Sequence, residues 1–227
     1  MSPQELVRKA KEEGHALLLE DETKEILEAA GIPTCRCFRV DTPEEARKRA
    51  AEIGYPVVLK VCSPQIVHKS DVGGVALNLS TEKEVVEAFG KLLAKGRRLD
   101  PAADVVVQKM APPGRELIAG ITDDRHFGPV IMLGAGGIFT EVLQDTVYRL
   151  LPVDACDAEE MIVSLKSYPL LTGFRGQAPV SLDALKDLLL KLSRLAETCP
   201  DIKELDLNPV AAYPAGVQVL DARLVLK

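Results

Sequence analysis

A lysine at the end of an apolar run, followed by two adjacent glycines, is the first feature of this sequence that indicates chemistry. Lys60 ends the run PVVLK, and a polar stretch over 68–71 leads to Gly73 and Gly74. A lysine leaving a buried strand supplies a fixed cation, and glycine amides can approach phosphate oxygens without side-chain interference. We therefore predict a phosphate site, although a plain hairpin also explains the glycine pair. The spacing of a Walker A loop is absent.

A second group of oxygen-bearing side chains lies near the C-terminus. Asp206 and Asn208 alternate with leucines, so both are expected on one face of a strand, and Asp221 is expected on the next strand. Carboxylate and amide oxygens that converge across a hairpin suit Mg²⁺, with phosphates and water completing the octahedron. A turn is the alternative, since Asn-Pro is also a turn signal.

The segment VVVQKMAPPGRELIAG is typical of a hinge between two lobes. A predicted strand ends in Gln108, Lys109 and Met110, the turn-forming APPG follows, and a new strand begins. The adenine of a nucleotide could lie against such a hinge and bond its backbone, although a structural link fits equally well. Further on, the glycines of 134–137 differ from a dinucleotide fingerprint, because the third glycine is misplaced and no helix-forming segment follows immediately.

Composition and charge narrow the classes of partner. The 227 residues are 47% hydrophobic and 27% charged, and the formal net charge of −6 comes without a dense Lys/Arg run. We therefore expect no nucleic-acid partner and no membrane partner. The charged N-terminus does not resemble a signal peptide, and the odd count of five cysteines indicates reduced thiols in the cytoplasm.

Local patterns predict a mixed α+β (α/β) chain of two lobes. The first lobe, residues 1–110, has helices over 1–31, 42–54 and 81–96 and strands over 34–40, 56–62, 75–80 and 104–110. The second, residues 111–227, has strands over 115–122, 129–136, 139–144 and 146–152, helices over 157–167 and 181–198, and strands over 202–214 and 216–227. We expect a nucleotide to bind between the two lobes.

Taken together, the motifs resemble the ATP-grasp superfamily, and specifically the nucleotide-binding part of ADP-forming acyl-CoA synthetases, relatives of succinyl-CoA synthetase. The resemblance is carried, in family order, by GYPVVLK, SPQIVHKSDVGGV, GRELIAG, FGPVIMLGAGGIFTEVL, the Tyr148–Arg149 strand, LLTGFRG, ELDLNP and VLDAR. The family's CoA-binding domain is not found in the sequence. We therefore expect a split enzyme, with that domain on a separate alpha subunit in an alpha2beta2 hetero-oligomer.

The resemblance implies the reaction acyl-CoA + ADP + phosphate ⇌ carboxylic acid + CoA + ATP, with acetate as the default acid. In this family phosphate attacks the thioester on the CoA-binding subunit. The phosphoryl group passes to a histidine there, travels to the ATP-grasp subunit and is transferred to ADP. His68 matches a second histidine that carries phosphate in this step, and a neutral imidazole is a good phosphoryl acceptor near pH 7.

The resemblance also assigns roles to the other motif residues. Lys60, Gly73 and Gly74 would hold the nucleotide phosphates, and Glu116 would lie near the nucleotide. By analogy with succinyl-CoA synthetase, Asn208 and Asp221 would be direct Mg²⁺ ligands and Asp206 a ligand or a support. Arg175 in GFRG could contact phosphate or the partner subunit, because an arginine among glycines favours oxyanions; a solvated loop charge is its alternative.

Two other functions fit parts of the pattern. A stand-alone ATP-grasp carboxylate ligase would make an acyl phosphate and attack it with an amine, but it needs an acceptor-substrate domain for which little chain is left. A non-catalytic nucleotide-sensing module would be expected to be fused to a further domain, and none is visible.

Overall fold

The computed structural model describes residues 1–66, 69–137 and 144–227. The elements in chain order are α1 (Pro3–Glu12), β1 (Leu17–Leu18), α2 (Glu20–Ala29), β2 (Cys37–Val40), α3 (Pro43–Ile53), β3 (Val57–Cys62), β4 (Val75–Leu79), α4 (Glu82–Leu99), β5 (Asp104–Lys109), β6 (Arg115–Asp124), β7 (Gly128–Ala135), β8 (Thr146–Leu150), α5 (Ala155–Val163), α6 (Tyr168–Leu171), α7 (Leu182–Thr198), β9 (Ile202–Tyr213), β10 (Gly216–Val219) and β11 (Ala222–Leu226). The mixed α+β (α/β) class predicted from the sequence is confirmed.

The chain divides into two compact units, each with its own antiparallel sheet. Unit 1 comprises Met1–Leu18, Glu25–Thr34 and Pro113–Lys227. Unit 2 comprises Leu19–Lys24 and Cys35–Pro112. The first five residues of α2 therefore count with unit 2, and the remainder of that helix counts with unit 1.

Both long helices of unit 2 begin where the sequence supplies a capping side chain. The Thr42 hydroxyl accepts a hydrogen bond from the backbone N–H of Glu45 at 3.2 Å. Thr81 and Glu84 form a reciprocal capping box at the start of α4. At the end of α3, Gly54 has a φ of 82°, which glycine adopts without a steric penalty. Side chains and backbone thus fix these boundaries locally.

The central strand of unit 2 presents a different set of side chains on each face. The strand order is β2-β5-β3-β4, so β3 is paired on both sides and all six of its residues are buried. Val57, Leu59 and Val61 join the core beneath α3 and α4. The alternate residues, which include Lys60 and Cys62, point to the opposite face. The apolar run therefore carries one charged side chain on the face that lacks these two helices.

Unit 1 is built on a seven-stranded sheet in the order β1-β11-β9-β6-β7-β8, with β10 paired to β9. The amphipathic helix α7 contributes Leu185, Leu188, Leu189, Leu192 and Leu195 to the core, at the spacing of one helical face. Where β6 meets β9, a Cβ on Gly120 would lie 2.6 Å from the Leu205 carbonyl oxygen. Glycine is therefore needed at that position.

The structure differs from the sequence expectations at the N-terminus and at the last predicted strand. Residues 1–31 are two helices separated by β1, because Leu17 and Leu18 pair with Val225 and Leu224 instead of continuing a helix. The last predicted strand is two strands, β10 and β11. Asp221 lies between them and not within a strand. The strand expected over 139–144 falls mostly on residues outside the described ranges.

The lobe boundary at residue 110 stays a prediction, and the junction between the two compact units falls near Pro112. Met1–Leu18 group with unit 1, because the apolar face of α1 (Leu6, Val7 and Ala10) joins its core and β1 pairs with β11. Burial of that face and the backbone hydrogen bonds of the strand pair decide this grouping.

Within the described ranges, we find no helix that combines the length and the apolarity needed to cross a membrane.

The contact between α4 and β3 predicts opposite effects for two glycines of the same helix. A Cβ on Gly96 would lie 2.9 Å from Val61 Cγ1 and 3.1 Å from Ala103 Cβ, whereas a Cβ on Gly90 would meet nothing within 4 Å. Gly96→Ala should lower the free energy of unfolding by about 1–3 kcal/mol through overpacking. Gly90→Ala, the matched control, should raise it by about 0.5–1 kcal/mol through helix propensity. Urea unfolding measures both. Equal effects at the two positions would contradict the close packing of α4 on β3.

Candidate functional site

A buried carboxylate in unit 2 is surrounded by three lysines. Glu20 is 2% exposed. Its Oε1 accepts hydrogen bonds from Lys24 Nζ at 2.7 Å and from Lys60 Nζ at 2.6 Å, and its Oε2 accepts one from Lys69 Nζ at 2.6 Å. All four side chains are charged groups that water would otherwise solvate, so their burial together marks a site held by its own ion pairs.

Four segments of unit 2 bring these side chains together. Glu20 opens α2, where a carboxylate is favoured by the helix dipole, and Lys24 follows one turn later. Lys60 comes from the face of β3 opposite α3 and α4. Gln108 of β5 lies diagonally across from it on that face, because Lys60 pairs with Val106 and Val58 pairs with Gln108. The Gln108 Oε1 accepts hydrogen bonds from Lys24 at 2.6 Å and from Lys60 at 3.2 Å.

The electrostatics of this cluster favour bound anions. Burial alone would raise the pKa of the Glu20 carboxyl, but the charges of Lys60, Lys24 and Lys69 hold this pKa well below its ordinary value. Glu20 is therefore ionised at neutral pH. Three ammonium groups around one carboxylate leave an excess of two positive charges among these four side chains.

The glycine pair closes the loop that carries Lys69. The Gly73 N–H donates to the Ser70 carbonyl at 2.9 Å, and the Gly74 N–H donates to the Lys69 carbonyl at 2.6 Å. A Cβ on Gly74 would lie 2.9 Å from that same Lys69 oxygen. The backbone N–H groups of Gly73 and Gly74, which the sequence predicts to bind phosphate, thus both have hydrogen-bond acceptors within the loop. In this structure the glycines fix the backbone at Lys69.

The predicted hinge residues are held within unit 2. Gln108 belongs to the lysine cluster. The Lys109 ammonium donates to the carbonyl oxygens of Gly54 at 2.7 Å and Tyr55 at 2.8 Å, beyond the end of α3. The Met110 N–H donates to the Pro56 carbonyl at 3.0 Å. These bonds fix the end of β5, and the contact of this segment with adenine stays a prediction.

In unit 1, the three predicted metal ligands lie on adjacent backbone segments. Asp206 and Asn208 are on β9, and the Asn208 N–H donates to the Asp221 carbonyl at 3.2 Å. Asn208 is exposed, while Asp206 and Asp221 are half-buried. Among the described residues, no group of three or more His, Cys, Asp or Glu side chains is arranged to hold a metal. A metal here would draw on an amide, carboxylates and further oxygen ligands from outside the protein.

Glu116 borders a separate cavity of unit 1. The cavity measures about 370 Å³ and lies between the start of β6, the end of β7 and α6. The Gly136 N–H donates to the Glu116 carbonyl at 2.8 Å. A Cβ on Gly136 would lie 2.7 Å from the Glu116 carbonyl carbon. The glycine run after β7 therefore serves a close approach of two backbones beside Glu116.

Arg175 is the remaining site prediction that falls on a described residue. Arg175 is exposed in the GFRG loop with a φ of 49°, and its guanidinium carbon lies 5.3 Å from the centre of the Phe174 ring. The contact of Arg175 with phosphate or with a partner subunit stays a prediction. His68 lies outside the described residues.

The sequence analysis missed Glu20 and Lys24. The signal available was an i, i+4 Glu–Lys pair in a predicted helix, which on most helices is a solvated surface pair. Nothing in that spacing reveals burial, because the burial comes from strands β3 and β5, far along the chain.

Comparison with known proteins places this geometry in a family. A model of the ATP-grasp domain matches residues 9–226. The acetate–CoA ligase [ADP-forming] I subunit beta of Pyrococcus furiosus is 46% identical over 225 residues, which cover 98% of this chain and 97% of the relative.

Solved structures are also similar to this chain over its whole length. The dinucleotide forming acetyl-coenzyme A synthetase 1 of Ca. Korarchaeum cryptofilum, in complex with coenzyme A, Ca-AMPCP and HgCl⁺, has a TM-score of 0.94 and 47% identity, with all of both chains covered. A Se-Met derivative of that synthetase with coenzyme A and Mg-AMPPCP, its phosphohistidine segment pointing towards the nucleotide binding site, has a TM-score of 0.86 and 46% identity over the same coverage. The match over almost the whole chain shows that this protein belongs to the ATP-grasp domain family.

Proposed function

We propose that this chain is the nucleotide-binding beta subunit of an ADP-forming acetyl-CoA (acyl-CoA) synthetase. The reaction is acyl-CoA + ADP + phosphate ⇌ carboxylic acid + CoA + ATP. The observation that carries the proposal is the 46% identity with an ADP-forming acetate–CoA ligase beta subunit over nearly the full length of both chains. The excess positive charge of the Glu20 cluster supports it, because the substrates of such a subunit are polyanions.

Within this function, Lys60 and Lys69 bind nucleotide phosphates. Both ammonium groups are already held on one carboxylate. The two lysine side chains therefore lose little conformational entropy when an anion binds. The loop closed by Gly73 and Gly74 keeps Lys69 in place. Glu116 and the segment ending at Met110 bind the nucleoside part. That the nucleotide lies between the two lobes stays a prediction.

The oxygen ligands of unit 1 fit Mg²⁺. The hydrogen bond between the Asn208 N–H and the Asp221 carbonyl joins the backbones of the two residues, whose side chains are an amide and a carboxylate. Both are hard oxygen donors of the kind Mg²⁺ takes. We propose Asn208 and Asp221 as direct ligands and Asp206, two residues earlier on β9, as a ligand or support. A bound Mg²⁺ would neutralise charge on the phosphoryl group during transfer.

We propose that His68 carries the phosphoryl group between the partner and ADP. A ring nitrogen of His68 would form a bond to phosphorus as the bond to the partner's histidine breaks. The bond between His68 and phosphorus would break in turn as an oxygen of ADP attacks the phosphorus. The Korarchaeum synthetase, at 46% identity, has a phosphohistidine segment of its own. A relay shortens the distance that each chemical step must cover.

The proposed partner is a CoA-binding alpha subunit, in an alpha2beta2 assembly, and Arg175 is a candidate contact with it. We place the enzyme in the cytoplasm, which the five free cysteines support. The stand-alone ligase and the nucleotide-sensing module have no structural observation in their favour.

The first prediction from this function is that the chain alone binds Mg·ADP but forms ATP from acetyl-CoA and phosphate only with its partner. Titration calorimetry measures the binding. Lys60→Met should weaken it about tenfold or more, because a charge-assisted hydrogen bond is lost. Lys83→Met, which removes an exposed lysine from α4, is the matched control. Robust ATP synthesis by the isolated chain would contradict the split enzyme.

The second prediction concerns the metal. Asp221→Asn and Asn208→Ala should each lower turnover about 10²–10³-fold, because removal of one electrostatic contact to a transferring group raises the barrier by about 2.7–4 kcal/mol. The unfolding midpoint should change little. Asp201→Asn, a carboxylate of unit 1 paired with Lys11, is the control. Wild-type turnover in both variants at limiting Mg²⁺, measured with the partner present, would remove the assignment.

The third prediction is that His68 is phosphorylated during turnover. The chain is incubated with γ-labelled ATP and Mg²⁺, with and without the partner, and kept alkaline because phosphohistidine hydrolyses in acid. His68→Ala should lose the label and the turnover and still bind nucleotide. His126→Ala, an exposed loop histidine, should keep both. If the wild-type chain never carries an acid-labile, base-stable phosphate, His68 only positions phosphate.

A further inference from the structure

The three lysines around Glu20 are buried to different depths. Their side chains are 1%, 7% and 14% exposed for Lys24, Lys60 and Lys69, respectively. Lys24 also donates to the Cys35 carbonyl at 2.8 Å and to Gln108. The deepest lysine is therefore held by the protein on three sides, and the other two lie nearer the surface, where an anion would arrive.

We propose that Glu20 is a positioning residue for the phosphate site: its carboxylate fixes the ammonium groups of Lys60 and Lys69 beside each other and keeps both charged inside unit 2. The inference rests on the proposed function, because it assigns the two lysines to nucleotide phosphates. Glu20 itself does not touch the nucleotide. Lys24 is its permanent counter-ion, which holds the carboxylate from the side away from the substrate.

The geometry separates the two tasks of the carboxylate. Oε1 is shared by Lys24 and Lys60, and the Gln108 oxygen is shared by the same pair. Lys60 thus has two acceptors that fix its ammonium group relative to the sheet. Oε2 is directed to Lys69, whose segment is otherwise tied down by the glycine loop. One rigid side chain therefore aligns a strand lysine with a loop lysine.

Burial makes it harder for the lysines to stay charged, and the carboxylate counters this effect. A buried ammonium group without an anion loses its proton easily, and three ammonium groups held close together oppose one another's charge. The carboxylate offsets both effects, which is why the cluster can keep its positive excess in the absence of phosphate. The ammonium groups of Lys60 and Lys69 are therefore already charged and oriented when the nucleotide binds.

Four other ionisable groups near Glu20, all within the described part of the chain, are either neutral or engaged by another cation. Burial raises the pKa of the Cys37 and Cys62 thiols to about 12 and raises that of Cys35 as well, so these thiols are neutral. Asp21 is engaged by Arg39 in a bidentate pair at 2.7 and 3.0 Å. Lys109 adds another cation on the Cys35 side. Glu20 is thus an anion to which all three lysines donate.

The test compares Glu20→Gln with Asp21→Asn in the full chain. Both changes turn a carboxylate of the first turn of α2 into an amide, but only the first removes an anion from the lysines. Without the carboxylate, the ammonium groups release their protons at lower pH, so Mg·ADP affinity falls as pH rises. We expect Glu20→Gln to bind about tenfold more weakly at about pH 9 than at about pH 7, and the wild type and Asp21→Asn to change about twofold or less.

A second variant covers the case in which Glu20→Gln does not fold. Glu20→Asp keeps the charge but draws it back by one methylene, so it cannot reach all three lysines equally. It should weaken Mg·ADP binding several-fold with an unchanged pH profile. Carbon-13 NMR of labelled lysine side chains in Glu20→Gln should also show lysines titrating at lower pH than in the wild type, a readout that a merely structural role would not move.

The outcomes separate this inference from the proposed function. If the wild-type chain does not bind Mg·ADP, both fail. If the wild type binds it and both Glu20 variants bind equally well with the wild-type pH profile, only the positioning role is overturned. Tighter binding by Glu20→Gln at neutral pH would show that the carboxylate competes with phosphates, and would overturn it as well.

Discussion

Unit 2 depends on a carboxylate that is buried among more positive charge than it can neutralise. Desolvation of Glu20 is unfavourable in isolation, and so is desolvation of each lysine around it. The four groups are stable together because every oxygen of the carboxylate accepts from an ammonium group and Gln108 supplies a further acceptor. Removing one partner of such a set leaves an uncompensated buried charge, which is why the segments that carry them are constrained to meet.

This constraint explains features that look unrelated in the sequence. The first turn of α2 belongs with unit 2 because it carries both Glu20 and Lys24, although the rest of that helix counts with unit 1. The glycine pair after β3 is needed to close the loop at Lys69. The face of β3 opposite α3 and α4 carries Lys60 within an otherwise apolar strand, so the alternation of β3 separates a hydrophobic core from a polar cluster.

Much of the fold could be predicted because its signals are local. The capping residues Thr42 and Thr81, the apolar runs of β3 and β5, and the heptad-like leucines of α7 each act within a few residues. The placement of Lys60 in a buried strand, and of Asp206 and Asn208 in one strand, could be predicted for the same reason. What could not be predicted depends on partners distant in sequence. The pairing of β1 with β11 and the burial of Glu20 both require contacts that no local pattern encodes.

The pairing of Leu17 with Val225 also sets an order of events during synthesis. A protein chain emerges from the ribosome at about 5–20 residues per second, and domains fold as their sequences become available. All strands of the unit 2 sheet lie before residue 113, so that sheet can form while most of unit 1 is still to be made. β1 must wait for β11, the last of the described strands to be translated. Until then the apolar face of α1 lacks the core against which it packs in the folded protein.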